Sequence, residues 1–270
     1  MTSHLAQYDP RRTYNAAAVD YDNTSARFWR YAAEETVRRL ALQPGERLLD
    51  VACGPGAAAL AAAREVGPDG AVLGIDIAEE MISLARVHAI EQQALNTTFA
   101  IGDMNALDCP AGSFDAVTCV FGLFFAEDII ATIRAMTESL VFGGRIAITT
   151  LGPEFFSPMF EVFVDTAVTL NPAIDTKVPW RRTQDPDDMR DYLTCAGVAD
   201  ISVNHEVSEL TLRSPEDWWR IVMGTGIRRL AMDLNVDALN RVREHNLSWI
   251  RDHQLSTLEF GVIYCRGDKL

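Results

Sequence analysis

The segment LLDVACGPG at residues 48–56 combines features that suit ligand binding. An apolar strand runs into a glycine-containing turn, and a helix follows. Glycine lets the backbone approach a ligand closely, and the start of a helix presents unpaired N–H groups to a carboxylate or a phosphate. Gly54-x-Gly56-x-x-Ala59 also fits the loose dinucleotide fingerprint, which is a weak signal alone. The segment predicts an anion-binding turn, with a tight turn that binds nothing as the alternative.

Acidic residues stand where the predicted strands end. Asp76 comes 20 residues after Gly56, where a carboxylate can accept hydrogen bonds from both hydroxyls of a ribose, or simply cap the next helix. Asp50, inside the first strand, can orient the turn and face a cationic ligand such as S-adenosylmethionine (SAM). Asp103-Met104 follows the third strand, where the acid can bind an adenine amino group and Met104 can pack on the ring. We therefore predict an adenosine ligand, with SAM favoured over NAD.

The surrounding elements alternate between strands and helices. Continuous apolar strands indicate a sheet that is covered on both faces, and short turns indicate a parallel, doubly wound topology. We predict strands at 47–51, 71–75, 97–101, 114–121, 145–151, 201–212 and 258–265. Helices are predicted at 27–42, 56–66, 78–94 and 128–141, with further helices at 154–170, 185–195 and 236–253 and one opening at 214. The later helices exceed what a minimal sheet needs and are predicted to form a cap.

Composition excludes several classes of protein. The 270 residues carry a net charge of −14, which disfavours nonspecific nucleic-acid binding and attachment to anionic membranes. No apolar run is long enough to predict a membrane span, and residues 1–12 do not resemble a signal peptide. The five scattered cysteines form no CxxC pair, so we expect reduced thiols, no metal site and a cytoplasmic protein.

Five motifs occur in order: LLDVACGPG, GIDIAEEMI, FAIGDMNAL, SFDAVTCVFGLFF and LVFGGRIAITT. Together they resemble the class I SAM-dependent methyltransferases, specifically the ubiquinone- and menaquinone-biosynthesis-like group that acts on small molecules. The resemblance covers 46–151 strongly. It implies a Rossmann-like α/β fold, with a seven-stranded, mostly parallel sheet whose last strand is antiparallel, plus a helical cap. We expect 1–45 to form a helical cover and 46–270 the methyltransferase domain, with cap insertions at about 152–184 and 214–254.

The resemblance also assigns roles to residues. The turn is expected to hold the methionine part of SAM, Asp76 the ribose, and Asp103 and Met104 the adenine. The reaction would release S-adenosylhomocysteine (SAH). The full set of expected cofactor residues is Tyr14, Tyr21, Asp50, Ala52, Gly54, Gly56, Asp76, Ile77, Met81, Asp103, Met104, Val120 and Phe121.

The acceptor pocket is expected under the cap. Phe124-Phe125-Ala126 is apolar where quinone enzymes commonly carry polar residues, which favours a largely apolar metabolite over a quinone. The predicted pocket residues are Phe124, Phe125, Phe156, Met159, Trp180 and Trp219. Trp180-Arg181-Arg182 either holds an anionic group or is a solvated loop.

Catalysis leaves no clear signature in the sequence. An activated methyl donor needs mainly positioning, and a base only if the acceptor loses a proton. His4, Tyr14 and His205 are weak candidates for that base. The acceptor atom (oxygen, nitrogen or carbon) and the oligomeric state stay open. The alternatives are a SAM-fold protein that does not methylate and an NAD(P)-dependent oxidoreductase.

Overall fold

One mixed sheet organises the protein in a computed structural model that describes residues 9–21 and 26–270. Its strand order is β3-β2-β1-β4-β5-β7-β6. The strands are β1 (Arg47–Val51), β2 (Ala71–Asp76), β3 (Thr97–Ile101), β4 (Phe114–Val120), β5 (Leu140–Ser157), β6 (Ala199–Thr211) and β7 (Thr257–Asp268).

The pairing of the strands confirms the predicted topology. β1 to β5 run parallel, with β1 at the centre between β2 and β4. β7 is antiparallel both to β5 and to β6. Strand order reverses beside β1, and ligands of open α/β sheets bind at such a point, outside the carboxyl ends of the strands.

Helices cover both faces of this sheet. They are α1 (Pro10–Tyr21), α2 (Ala26–Leu40), α3 (Ala57–Val66), α4 (Glu79–Glu91), α5 (Ile129–Ser139), α6 (Met159–Leu170), α7 (Pro186–Cys195), α8 (Pro215–Gly224), α9 (Arg228–Met232) and α10 (Val236–Asp252). Adjacent residues of β1 point to opposite faces. Leu48 packs with α2, α3 and α4, and Leu49 packs with α5 and α7.

A third core lies beside the far ends of β5 and β7. It is rich in aromatic side chains and joins the sheet to α6, α8, α9 and α10. Phe156, Phe163, Trp218 and Phe260 are fully buried in it. These helices are therefore packed onto the sheet through a continuous apolar core.

The boundaries predicted around β5 are wrong, because the strand begins at Leu140 and not at 145, and ends at Ser157 and not at 151. The helix predicted from Glu154 begins at Met159, because β5 continues to Ser157. Gly152 and Pro153 indicate a break in the sequence, but the strand bends there and pairs again with β7, as Phe155 opposite Phe260 shows. Long-range pairing has overridden the local signal.

Helix starts agree better with their sequence signals. The Asp185 side chain accepts a hydrogen bond from the Asp187 N–H at the start of α7, as its place before Pro186 predicts. Asp128 accepts from the Ala131 N–H at the start of α5. Within 9–21 and 26–270, no helix has the length and apolar character needed to span a bilayer.

Candidate active site

The turn between β1 and α3 adopts unusual backbone angles. Ala52, Gly54 and Gly56 have φ values of 56°, 52° and 91°, in the left-handed region that glycine enters without steric cost. A side chain on Gly54 would meet nothing within 4 Å, whereas one on Gly56 would lie 3.1 Å from the Phe99 ring. Gly54 therefore leaves the turn open to a ligand, and Gly56 allows the turn to pack on β3.

Asp50 anchors this turn from below. Its carboxylate, 1% exposed, accepts hydrogen bonds from the Thr118 hydroxyl at 2.8 Å and from the Ala59 N–H of α3 at 3.0 Å. Burial raises the pKa of Asp50 to about 7, and the two hydrogen bonds partly oppose that shift. The carboxylate joins β1, β4 and α3, as the expectation that it orients the turn requires.

Asp76 ties the second strand to the same turn. Its oxygens accept hydrogen bonds from the backbone N–H groups of Gly54 at 2.8 Å and Ala78 at 2.9 Å. Burial raises its pKa, against the opposing effect of these bonds. Each carboxylate oxygen has further acceptor capacity, so Asp76 can both cap the turn and bind a ligand hydroxyl.

Asp103 occupies the corresponding place after β3. Its side chain accepts from the Asn105 N–H at 2.9 Å and from the Asn105 amide at 3.0 Å. The Asn105 amide oxygen accepts in turn from the Glu127 N–H. The loops that follow β3 and β4 are thereby connected.

One cleft brings most of the predicted residues together at the carboxyl ends of β1, β2 and β4. Its empty space is about 950 Å³, with the solvent at its mouth included. Its wall includes these predicted residues: Tyr14, Tyr21, Ala52, Gly54, Asp76, Ile77, Met81, Asp103, Met104, Val120, Phe121, Phe124, Phe125 and Trp180.

The cleft has two chemically different parts. The polar part contains Gly54, Asp76, Asp103 and their neighbours. We call the other part the aromatic half, and its wall consists of Tyr14, Tyr21, Trp29, Phe121, Phe124, Phe125, Leu151, Phe155, Trp180, Thr225 and Gly226. Ring contacts connect this wall, with centroids 5.7 Å apart for Tyr14 and Phe125 and 4.9 Å apart for Phe155 and Trp180.

Of the seven non-glycine residues with a positive φ in the described part of the chain, two lie where the two parts meet. Phe121, directly after β4, has a φ of 55°, and Ala52 has a φ of 56°. A positive φ is uncommon for any residue other than glycine and is an outlier for a bulky one. The next residue, Gly122, lies so close that an added Cβ would be 2.5 Å from the Ala52 Cβ. Strained backbone of this kind clusters at ligand sites, and here two strained residues from neighbouring strands line one cleft.

The Trp180-Arg181-Arg182 cluster does not act as one unit. Arg182 donates hydrogen bonds to the carbonyl oxygens of Phe124, Ala126 and Glu127, and burial lowers its pKa. Arg181 is exposed. Arg182 thus holds the loop that carries Phe124 and Phe125.

Some predicted site residues lie elsewhere. Gly56 is buried against Phe99, and Asp50 lies in the wall of an adjoining groove that shares Ala52 and Gly54 with the cleft. Phe156 and Met159 are fully buried in the aromatic core, because the bend in β5 turns Phe155 to the cleft instead. Trp219 packs beside Phe163 and is not part of the cleft wall.

The candidates for a base are also separated. Tyr14 lines the cleft. His205 of β6 is paired with Glu154 of β5 at 2.9 Å and is not among the residues that line the cleft. His4 lies outside the described residues.

The predicted site residues leave out nine residues of the wall, among them Trp29, Leu151, Thr225 and Gly226. Leu151 ends the predicted fifth strand, a position that could have identified it. Trp29 lies within a predicted amphipathic helix, where an aromatic residue is indistinguishable from a core residue. Thr225 and Gly226 join α8 to α9 and carry no local signal.

Comparisons with known proteins agree with this geometry. Residues 48–144 match the family model described as a methyltransferase domain. The chain is 32% identical to nocamycin O-methyltransferase of Saccharothrix syringae, over 75% of this chain and 76% of that protein. It is 31% identical to demethylmenaquinone methyltransferase of Lactococcus lactis subsp. lactis, over 49% of this chain and 54% of that protein.

A solved structure shares this fold. Phosphoethanolamine N-methyltransferase 2 of Haemonchus contortus, in complex with SAM, aligns with a TM-score of 0.58 and 17% identity, over 94% of this chain and 57% of that one. These matches do not favour the NAD(P)-dependent alternative. The chain belongs to the class I SAM-dependent methyltransferases, with SAM as its cofactor.

Proposed function

We propose that the cleft binds SAM in its polar part and a small, largely apolar metabolite in its aromatic half, and that the enzyme transfers the methyl group between them. The observation that carries this proposal is the division of one continuous cleft into a part with two carboxylates and a part lined by rings. Positioning both reactants in one cleft removes much of the entropic cost of reaction.

The polar part offers a partner for each portion of the cofactor. The open side of the turn at Gly54 fits the amino-acid portion, and Asp76 fits the ribose. Asp103 and Met104 fit the adenine, with Ile77 and Met81 beside the adenosine. The turn has room for a ligand at Gly54, because open space lies where a Cβ of this residue would be.

SAM, when bound, supplies a methyl group that is already activated for displacement. The chain then has to bind the acceptor, align it and exclude water. Phe121, Phe124, Phe155 and Trp180 can do so with apolar surface, which stabilises binding by roughly 25 cal/mol per Å² buried. Of the three candidates for a base, we retain Tyr14, whose side chain lines the cleft.

We further propose that the helices outside the sheet act as a cover. Within 1–45, α1 brings Tyr14 and Tyr21 to the cleft. The insertion at 152–184 contributes Phe155 and Trp180, and the insertion at 214–254 contributes the segment between α8 and α9. Ion pairing of Asp20 with Arg228, at 2.7 Å, connects α1 to α9 and supports a cover built from both insertions and the N-terminal helices.

Calorimetric titration with SAM, SAH and NADH tests the cofactor site. We expect SAM and SAH to bind and NADH not to bind. Asp76→Asn should weaken SAM binding by about 1–3 kcal/mol, the scale of losing buried hydrogen bonds. Asp69→Asn, at an exposed carboxylate just before β2, is the matched control. Equal affinities for SAM in the two variants would contradict the role of Asp76.

Methyl transfer itself is tested with a panel of aromatic and apolar acceptors and isotopically labelled SAM. Label should appear in an organic product, and its position identifies the acceptor atom. If the protein binds SAM tightly but labels no member of the panel, the non-methylating alternative gains support.

A further inference from the structure

One asparagine joins the two parts of the cleft through hydrogen bonds. Asn105 lies in the cleft wall, two residues after Asp103. Its backbone N–H and its side-chain amide both donate to Asp103 Oδ1, at 2.9 and 3.0 Å. Its amide oxygen accepts from the Glu127 N–H at 2.8 Å. One side chain therefore connects the carboxylate that we assign to the adenine with the segment that follows β4.

That segment, residues 121–128, carries part of the aromatic wall, and we call it the β4–α5 loop. The Phe125 ring contacts that of Tyr14, with centroids 5.7 Å apart. The Phe124 ring contacts that of Trp180, with centroids 6.4 Å apart. Because these neighbours come from α1 and from the cap, a displacement of the loop would change the shape of the aromatic half on two sides.

Hydrogen bonds hold the β4–α5 loop from several directions. On the side of the cap, Arg182 donates to three of its carbonyl oxygens, the closest being that of Ala126 at 2.6 Å. At its end, Asp128 accepts from the Ala131 N–H of α5 at 2.9 Å. The bond from Glu127 to Asn105 reaches the loop from the polar part of the cleft. The position of the loop can therefore respond to what binds beside Asn105.

Asp103 retains capacity for a ligand while it holds Asn105. Both bonds from Asn105 go to Oδ1, and within 9–21 and 26–270 no hydrogen bond reaches Oδ2. An adenine amino group that donates to Oδ2 would fix the orientation of the carboxylate. Asn105 would then be fixed with it, because the bonds of a connected network restrict the groups at both of their ends.

We propose that Asn105 is a positioning residue that couples cofactor binding to the shape of the acceptor site. When SAM or SAH occupies the polar part, Asn105 holds the β4–α5 loop in the arrangement that receives the acceptor. The cofactor then binds first, and by linkage a bound acceptor strengthens cofactor binding by the same factor. This inference rests on the proposed function, since it takes the polar part as the cofactor site and the aromatic half as the acceptor site.

Hydrogen exchange followed by mass spectrometry, with and without saturating SAH, tests the coupling. The proteins are the wild type, Asn105→Ala and Asn105→Asp. Alanine removes both side-chain bonds, whereas aspartate keeps an oxygen for the Glu127 N–H but has no side-chain donor for Asp103. Asn204→Ala, at an exposed position on β6, is the matched control. Calorimetry gives the SAH concentration that saturates each protein.

We expect SAH to slow exchange at residues 125–127 of the wild type by about fivefold or more, the lower end of typical couplings between sites. In both Asn105 variants this effect should fall below about twofold, while SAH still protects the turn at 54–56. Asn204→Ala should behave as the wild type does. A purely structural role of Asn105 would change the exchange of the free variants but leave the effect of SAH intact.

Two results would overturn the proposal. The first is that SAH leaves exchange at 125–127 of the wild type unchanged, a result that needs no variant. The second is that SAH protects these amides as strongly in Asn105→Asp as in the wild type, a comparison that remains if Asn105→Ala does not fold. Failure of the proposed function looks different. SAH would then protect neither 54–56 nor 76–78 in the wild type, whereas protection there without any change at 125–127 contradicts this inference alone.

Discussion

The close approach of Gly122 to Ala52 allows a quantitative test of how the loops after β1 and β4 fit together. In Gly122→Ala, the new Cβ would lie 2.5 Å from the Ala52 Cβ and 3.1 Å from the Cys119 sulfur. Carbon atoms in ordinary contact are about 3.5–4.0 Å apart, so one or both loops must move. Gly122 has a φ of −113°, which alanine tolerates, and the substitution therefore tests packing without adding backbone strain.

The expected loss follows from overpacking, which typically lowers the free energy of unfolding by about 1–3 kcal/mol. Ala52→Gly has the opposite character. It removes about 1–2 kcal/mol of left-handed strain and restores about 0.5–1 kcal/mol of chain entropy to the unfolded state. We expect a net change between about 0 and 1.5 kcal/mol in favour of the folded protein.

The double variant removes the Ala52 Cβ that causes the worst clash, although the Cys119 sulfur remains close. It should be more stable than the sum of the single changes predicts by about 1–2 kcal/mol, a coupling typical of residues in contact. Urea denaturation of the four proteins measures this energy, provided that the m-values agree. Gly112→Ala, at an exposed turn where nothing lies within 4 Å, serves as a control. Additive effects would refute this description of the cleft.

Three further predictions concern charge and burial. Burial raises the pKa of Asp50 to about 7, so the folded protein binds a proton more tightly than the unfolded chain, and stability should fall as pH rises from about 4 to 7. Asp50→Asn should remove that slope, worth at most about 4 kcal/mol at 1.36 kcal/mol per pKa unit, and parallel pH profiles of unfolding would contradict it. Arg182→Gln should lower the free energy of unfolding by about 1–3 kcal/mol because three backbone carbonyls lose a charged donor, whereas Arg181→Gln at an exposed position should cost less than about 0.5 kcal/mol; similar losses would exclude a special role for Arg182. A maleimide should label exposed Cys195 in the native protein but leave buried Cys53 unmodified until unfolding, and mass spectrometry of the labelled peptides checks both.

The sequence predicts the first half of the fold well because its signals are local. β1 to β4 are short, largely apolar runs, and Asp50, Asp76 and Asp103 lie within two residues of the carboxyl ends of β1, β2 and β3. The continuation of β5 past Gly152 could not be predicted in this way. It depends on β7, more than one hundred residues further along the chain, and on Gly152 and Gly261, which allow the two backbones to approach closely.

The candidate site likewise has a part that local sequence signals predict and a part that depends on long-range packing. The polar part follows from motifs, and the structure places Ala52, Gly54, Asp76 and Asp103 in one cleft. The aromatic half depends on long-range packing, so the sequence could not distinguish Phe155 from Phe156 or Trp180 from Trp219. Aromatic residues satisfy the same hydrophobic pattern in a core and in a pocket.

The two parts of the cleft also differ in where the chain supplies them. Residues 52–125 provide the whole polar wall, whereas much of the aromatic half comes from α1, α2 and the stretch 151–226. If the proposed assignment of the two parts holds, mutations in 151–226 would reshape the acceptor pocket and leave the cofactor cradle at 52–125 intact. Such an arrangement favours evolutionary divergence of substrate choice at constant chemistry, and it makes the outer segments the place to exchange residues when redirecting the enzyme to new compounds.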